Sequence, residues 1–119
     1  MAHQQNLGNW GEELAAEYLR QNGYTIVAQN WRFGKEEIDI IARKKDVLAI
    51  VEVKTRHSSQ FGDPQDFVTN AKQRHLINAA EAFIQEQDLD VETRFDIIAI
   101  TSDTQPPQLT HIDEAFYPT

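Results

Sequence analysis

Glu37-Ile38-Asp39-Ile40-Ile41-Ala42-Arg43, then Lys44-Lys45-Asp46, then Val47-Leu48-Ala49-Ile50-Val51-Glu52-Val53-Lys54: this stretch decides the fold. Two apolar runs flank a charged tip, the pattern of an antiparallel hairpin. The second run has no polar alternation from Val47 to Val51, so its strand must be covered on both faces and belongs at the middle of a sheet. Asp39, Glu52 and Lys54 interrupt these strands with charge. By alternation Glu52 and Lys54 share the face of Leu48 and Ile50. If the turn is centred between Lys44 and Lys45, Asp39 faces Ile50 and Glu37 faces Glu52. Asp39 then lies diagonal to Glu52 on one face, roughly 7–8 Å away between backbones. Two carboxylates there repel unless a divalent metal or a proton relieves them. An oxygen-only pair suits Mg²⁺ or Mn²⁺, which keep several waters and bind phosphate oxygens. The Glu-x-Lys triplet alone carries little, since about one acid-x-lysine triplet is expected by chance in a chain of this composition. Periodicity therefore leaves two readings open: a metal site, or a strand that ends in water with Asp39 on the hairpin surface.

Outward from the hairpin, Leu7 to Gln21 carries Leu7, Trp10, Leu14, Tyr18 and Leu19 on one side and stops at Asn22-Gly23, which predicts a first helix. Tyr24 to Ala28 reads as a short strand, and Asn30 to Lys35 as a connection carrying Trp31 and Phe33. Residues 55–69 read as a polar loop. Thr69 or Asn70 caps a second helix to about Glu86, with a stripe of Leu76, Ala79, Ala80, Phe83 and Ile84. Phe95 to Thr101 is a further strand, and 109–116 a weak final one. The order α-β-β-β-α-β with a tail predicts an α/β fold: a mixed central sheet flanked by helices, with strand 94–101 parallel to strand 47–54 through a right-handed crossover. Asp96, near the start of its strand, is then expected at the sheet end opposite Glu52 and Lys54, paired with a neighbour such as Arg94.

The 119 residues suit a single domain spanning 1–119, with its core in about 7–101. Apolar content of 40% and charged content of 25% are globular values, and no apolar run approaches the length of a membrane span. Residues 1–6 have neither signal nor transit character, so a cytoplasmic location is expected. With no cysteine, thiol nucleophiles, zinc ribbons and iron–sulfur clusters are excluded. The net charge of −8 is unevenly spread: residues 32–74 hold nine of the eleven cations against seven acids, whereas 75–119 has Arg94 against nine acids. Arg43, Lys44, Lys45, Arg56, Lys72 and Arg74 are accordingly the candidate nucleic-acid contacts, with a solvated surface as the alternative. Trp10, Tyr18, Trp31 and Phe33 read more readily as core than as base-stacking platforms.

Gly8-x-x-Gly11-Glu12, Ala15, Tyr18-Leu19, Glu37-Ile38-Asp39-Ile40-Ile41, Val51-Glu52-Val53-Lys54-x-Arg56, Phe61-Gly62-x-Pro64 and Lys72 together resemble the short bacterial YraN-like proteins. That family is assigned to the restriction-endonuclease-like PD-(D/E)-x-K nucleases, near archaeal Holliday-junction resolvases. The resemblance implies a restriction-endonuclease-like core, with Asp39 and Glu52 as metal ligands, Lys54 beside the attacking water and Glu12 as an auxiliary acid. Helical geometry is compatible with that last role, because Glu12 lies at the edge of the buried stripe. Two positions depart from the pattern: Ile38 stands where the superfamily name has proline, and Glu36 where glycine is usual. The implied activity is a Mg²⁺- or Mn²⁺-dependent nuclease acting on DNA, branched or single-stranded, and the resolvase likeness implies a homodimer. The alternatives are a non-catalytic nucleic-acid-binding module of the same fold, and a protein-interaction subunit that docks through its acidic C-terminal third.

Overall fold

The computed structural model describes residues 7–57 and 68–118. Helix α1 (Leu7–Gln21) leads into three antiparallel strands, β1 (Thr25–Phe33), β2 (Glu36–Lys44) and β3 (Val47–Arg56). Helix α2 (Asn70–Gln87) follows, then β4 (Glu92–Thr101) and β5 (Gln108–Phe116). The five strands form one mixed sheet in the order β1-β2-β3-β4-β5. As the apolar run Val47 to Val51 requires, β3 is central, and it pairs parallel with β4 across the α2 crossover.

Both helix ends are chemically specified. Gly23, at φ 91°, closes α1 with backbone bonds from Gly23 N to Arg20 O and from Tyr24 N to Leu19 O. The Thr69 hydroxyl caps α2 by accepting from Lys72 N at 3.2 Å. The sheet separates two cores. On one face α1 sets Ala15, Ala16 and Leu19 against Ile40, Ala42, Ala49, Val51, Ile98 and Ile100. On the other, Leu76, Ala79, Ala80 and Phe83 of α2 pack on Ile38, Ile41, Leu48, Ile50, Phe95 and Ile97. Small residues let α1 sit close to the sheet: a Cβ at Gly11 would overlap Thr55 Oγ1. No helix among the described residues is long and apolar enough to cross a membrane.

Three expectations are corrected. The hairpin turn is Lys45-Asp46, with Lys44 opposite Val47 and Lys45 at φ 57°, the positive angle a tight hairpin turn demands. The register is thus shifted by two residues from one centred on Lys44-Lys45. A shift of two preserves the facing of the paired residues and brings Asp39 one step beyond the last ladder pair, Ile40–Val51, next to Glu52 rather than diagonal to it. Second, β1 does not stop at Ala28. It continues through Trp31 to Phe33, because a register shift between Ile26 and Ala28 and a left-handed Asn30 (φ 51°) break the period-two pattern without ending the ladder. Third, Asp96 is not at the far end of the sheet. It stands beside Val51 in the parallel register, one position from Glu52, and Ile98, two residues on, faces α1. Phe61, Gly62 and Pro64 of the resemblance lie outside the described residues.

Candidate active site

Strand β3 reaches beyond the sheet's apolar centre at Glu52, and there its charged residues begin. Glu52 is nonetheless buried, with only 6% of its side chain exposed. Lys54, two residues on and on the same face, brings Nζ to 3.9 Å from Glu52 Oε2. From the other side Lys72, in the first turn of α2, brings its own Nζ to 3.9 Å from the same oxygen. Its stem follows the helix stripe inward while its head stays at the rim. The second oxygen, Glu52 Oε1, is buried and has no hydrogen-bond partner. A carboxylate oxygen withdrawn from water and left unpaired is costly, unless something not made of this chain completes it.

Asp39 faces this group from β2. Its Oδ2 accepts from Val53 N–H at 2.9 Å, which fixes the carboxylate against the backbone of β3 at the point where the two strands part. Burial first, then the facing Glu52 and Glu12, push Asp39 up to about 7, against the pull of Val53 N–H and Lys72. Burial likewise raises Glu52, opposed by Lys72 and Lys54. Glu12 reaches the same neighbourhood from α1, held by a 2.9 Å hydrogen bond from Asn30 Nδ2. Among the described residues no group of three or more His, Asp or Glu side chains closes round a common point. The arrangement is a pair of carboxylates with a third acid at its margin and two ammonium groups on its rim. Such an oxygen pair fits a hydrated Mg²⁺ or Mn²⁺ better than an ion that needs a full protein cage.

The model of the uncharacterised protein family UPF0102 matches residues 11–100, a span that contains Glu12, Asp39, Glu52, Lys54 and Lys72. This chain belongs to the UPF0102 family. It is 49% identical over 117 residues to a UPF0102 protein of Flavobacterium psychrophilum, with 98% of each chain covered. It is 43% identical over 118 residues to one of Phocaeicola vulgatus, covering 99% of this chain and 98% of the other. A UPF0102 protein of Geobacter metallireducens is 45% identical over 115 residues, covering 96% and 94%.

In this UPF0102 chain the candidate nucleic-acid contacts divide into two groups. Lys72 joins the carboxylates, Arg74 is exposed two residues on, about 200° round the same helix, and Arg56 ends β3 with its guanidinium donating to Thr55 O at 3.3 Å. Arg43, Lys44 and Lys45 are at the opposite end of the hairpin, about 17 Å from Glu52 at the usual rise of a strand. There Arg43 Nε donates to Lys45 O at 3.0 Å, and Lys44 Nζ sits 5.3 Å above the Tyr24 ring. The structure therefore gathers Asp39, Glu52, Lys54, Lys72 and, at the margin, Glu12, and leaves the hairpin tip apart.

One residue that sequence reasoning missed is Asn30. Ladder pairs form at Gln29–Ile40 and Trp31–Ile38, so Asn30 and Asp39 occupy the skipped position between them. Asn tolerates the left-handed backbone this kink requires, and its amide then turns toward Glu12. The tolerance of asparagine for positive φ was the one signal available in the sequence.

On the opposite face, Asp96 is fully buried and takes two bonds from Arg94, Nε to Oδ1 and Nη2 to Oδ2, both at 2.9 Å. His111 Nε2 donates to Oδ2 at 2.8 Å, Glu114 N to Oδ1 at 3.2 Å, and the Tyr18 hydroxyl to His111 Nδ1 at 3.1 Å. Arg94 also donates to the Tyr24 hydroxyl. Burial works to raise Asp96, but the His111 and Arg94 bonds outweigh it and hold the carboxyl below its usual range. Every oxygen is satisfied here, the reverse of Glu52. The Asp96 network knits α1, Tyr24 at the entry to β1, β4 and β5 together.

Proposed function

We propose that this UPF0102 protein is a divalent-metal-dependent phosphodiesterase acting on DNA, built on a restriction-endonuclease-like core. One observation supports this reading most: Glu52 is buried with Oε1 unpartnered, opposite Asp39 and beside two lysines. Two acids that oppose each other at a strand divergence are unfavourable for folding, so a purely structural role explains them poorly. The element order, with β3 and β4 parallel across α2, supports the nuclease core.

Asp39 and Glu52 would hold Mg²⁺ or Mn²⁺, which when bound polarises a non-bridging phosphate oxygen and lowers the pKa of water. The remaining work falls to the chain itself. Val53 N–H holds the Asp39 carboxylate in place against the backbone of β3. Lys54, 29% exposed, presents an ammonium that stabilises charge developing on the phosphate and positions the attacking water. Lys72, at the open rim, neutralises the phosphate as it arrives. Glu12 adds negative charge at the margin and so tunes how strongly the pair attracts a cation.

A second reading, a nucleic-acid-binding module of the same fold without cleavage, draws on the lack of a third convergent ligand among the described residues. Mn²⁺ calorimetry on wild type and Asp39→Asn, run beside Mg²⁺-dependent cleavage of duplex, branched and single-stranded DNA, separates the two. Metal binding abolished by Asp39→Asn together with cleavage supports the enzyme. DNA affinity without cleavage of any substrate supports the module.

A further inference from the structure

Among the described residues, the large apolar side chains left exposed are Val27, Phe33 and Tyr117. Val27 and Tyr117 lie toward the hairpin-tip end of the sheet, beside the Ala42 and Phe95 levels. Phe33, 48% exposed, is the one at the carboxylate end. It also packs against a second aromatic ring. Its ring is parallel to that of Trp31 within 1°, with centroids 6.4 Å apart. Trp31 is in turn locked edge-on against Phe83 of α2, at 5.2 Å and 84°. Trp31 and Phe33, two residues apart on β1, share the α2 face of the sheet, the face that also carries Glu52, Lys54 and Lys72.

The spacing is that of a nucleic-acid strand. Phe33 pairs with Glu36, three residues before Asp39 on β2, a separation of about 10 Å along the strand. Two or three nucleotides cover that length at about 3.4 Å of rise per stacked base. The surroundings exclude a broad protein contact. One phenyl ring between the exposed cations Arg32 and Lys35 is no apolar patch of the several hundred Å² that partner proteins use. Glu36 lies directly opposite Phe33, and Arg32 is held 3.8 Å from Glu37, so the ring sits among paired charges with Lys35 beside it; a single exposed π-face of this kind matches one unpaired base.

We propose that Phe33, backed by Trp31, is a stacking subsite for one unpaired nucleobase of a strand whose phosphate reaches the Asp39–Glu52 centre. The inference rests on the phosphodiesterase reading for where that phosphate sits, and it assigns the substrate class: DNA that is single-stranded within a few nucleotides of the cut. Within a continuous duplex each base is stacked on both faces, so uninterrupted duplex cannot use the subsite.

The test uses the full chain in EDTA, so that no cleavage intervenes, with a short single-stranded DNA carrying one 2-aminopurine. Binding by wild type should quench 2-aminopurine. Phe33→Leu, which keeps apolar volume, should abolish the quench and weaken binding by roughly 5- to 100-fold, the scale of one lost base stack. Phe33→Trp should restore both. The slope of log affinity against log salt should be the same in all three proteins, because stacking releases no counterions. Equal affinity and equal quench for Phe33→Leu and wild type would overturn the subsite, as would failure of wild type to bind the oligonucleotide. The two readings fail separately: stacking without Mg²⁺-dependent cleavage removes the nuclease and keeps the subsite, whereas cleavage indifferent to Phe33→Leu removes the subsite and keeps the nuclease.

Discussion

Lys72 Nζ and Lys54 Nζ both stand 3.9 Å from Glu52 Oε2, yet one lysine comes from the first turn of α2 and the other from the end of β3. They approach a single oxygen from two elements and leave Oε1 bare.

Lys54 should matter for rate more than for binding. Lys54→Ala is expected to leave Mn²⁺ and DNA affinity nearly unchanged while lowering single-turnover cleavage by about 10²–10³. If Lys54 is only a counter-ion for Glu52, melting temperature falls instead, and cleavage falls no further than the loss of folded protein explains. Measuring both on one preparation decides the matter.

Asp39 gives stability a pH dependence of definite sign. Its folded pKa, raised to about 7, exceeds the ordinary aspartate value of 3.8, so between these values the folded state holds more protons than the unfolded chain. Stability must therefore fall as pH rises through that window, and the loss is complete above about 7. In EDTA, wild type should melt several degrees lower at pH 8 than at pH 5. Asp39→Asn should flatten the difference, and saturating Mn²⁺ should reverse it for wild type. A wild type and an Asp39→Asn protein with parallel melting profiles would contradict the burial argument.

The division of the cations predicts unequal effects on DNA binding. Lys72→Ala should reduce the salt slope by about one and weaken binding across sequences alike. The double change Lys44→Ala with Lys45→Ala, at the far end of the hairpin, should alter the slope less. Anisotropy titrations at 50–200 mM salt, the range over which phosphate contacts are most visible, measure both.

Asn30 separates backbone from side chain. Asn30→Gly retains access to positive φ but loses the amide to Glu12, whereas Asn30→Ala loses both and should cost about 1 kcal/mol more in stability. Both should change Mn²⁺ affinity alike if the amide, through Glu12, sets the local charge. Denaturant melts and calorimetry separate the two effects.

Asp96 should be a folding residue and nothing else. Asp96→Ala strands Arg94 against a buried face, and the expected loss is about 3–5 kcal/mol. Circular dichroism melts give the size of the loss. Mn²⁺ affinity, corrected for folded fraction, should match wild type, because the network faces α1 and the carboxylate pair faces α2.

The sheet was legible in the sequence because Val47 to Val51 and Phe95 to Ile100 lack polar alternation, and the handedness of crossovers then fixes their parallel pairing. Asp39, Glu52 and Lys54 stood out for the opposite reason, as charge where the period demands apolar residues. The exact register was not legible: it depends on Lys45 adopting a positive φ, which no neighbouring residue type enforces. The second half of β1 was hidden by the kink at Asn30, since a local reversal of backbone hand erases alternation. The Asp96 network was half visible. Arg94 is its sequence neighbour, but Tyr24, just before β1, and His111 of β5 are brought near only by the tertiary fold.

The Lys45-Asp46 turn, solvent-exposed and far from any chemistry, acts as the ruler of the carboxylate pair. An antiparallel hairpin has no other fixed origin from which its rungs can be counted. One residue inserted there would turn Asp39 toward α1 while Glu52 stayed toward α2, and each acid would meet a different core. Two inserted residues would keep both faces but reopen the gap between the acids. Loop tips usually absorb such changes freely, so this surface turn should be intolerant of length change for a reason that nothing in its own surroundings reveals.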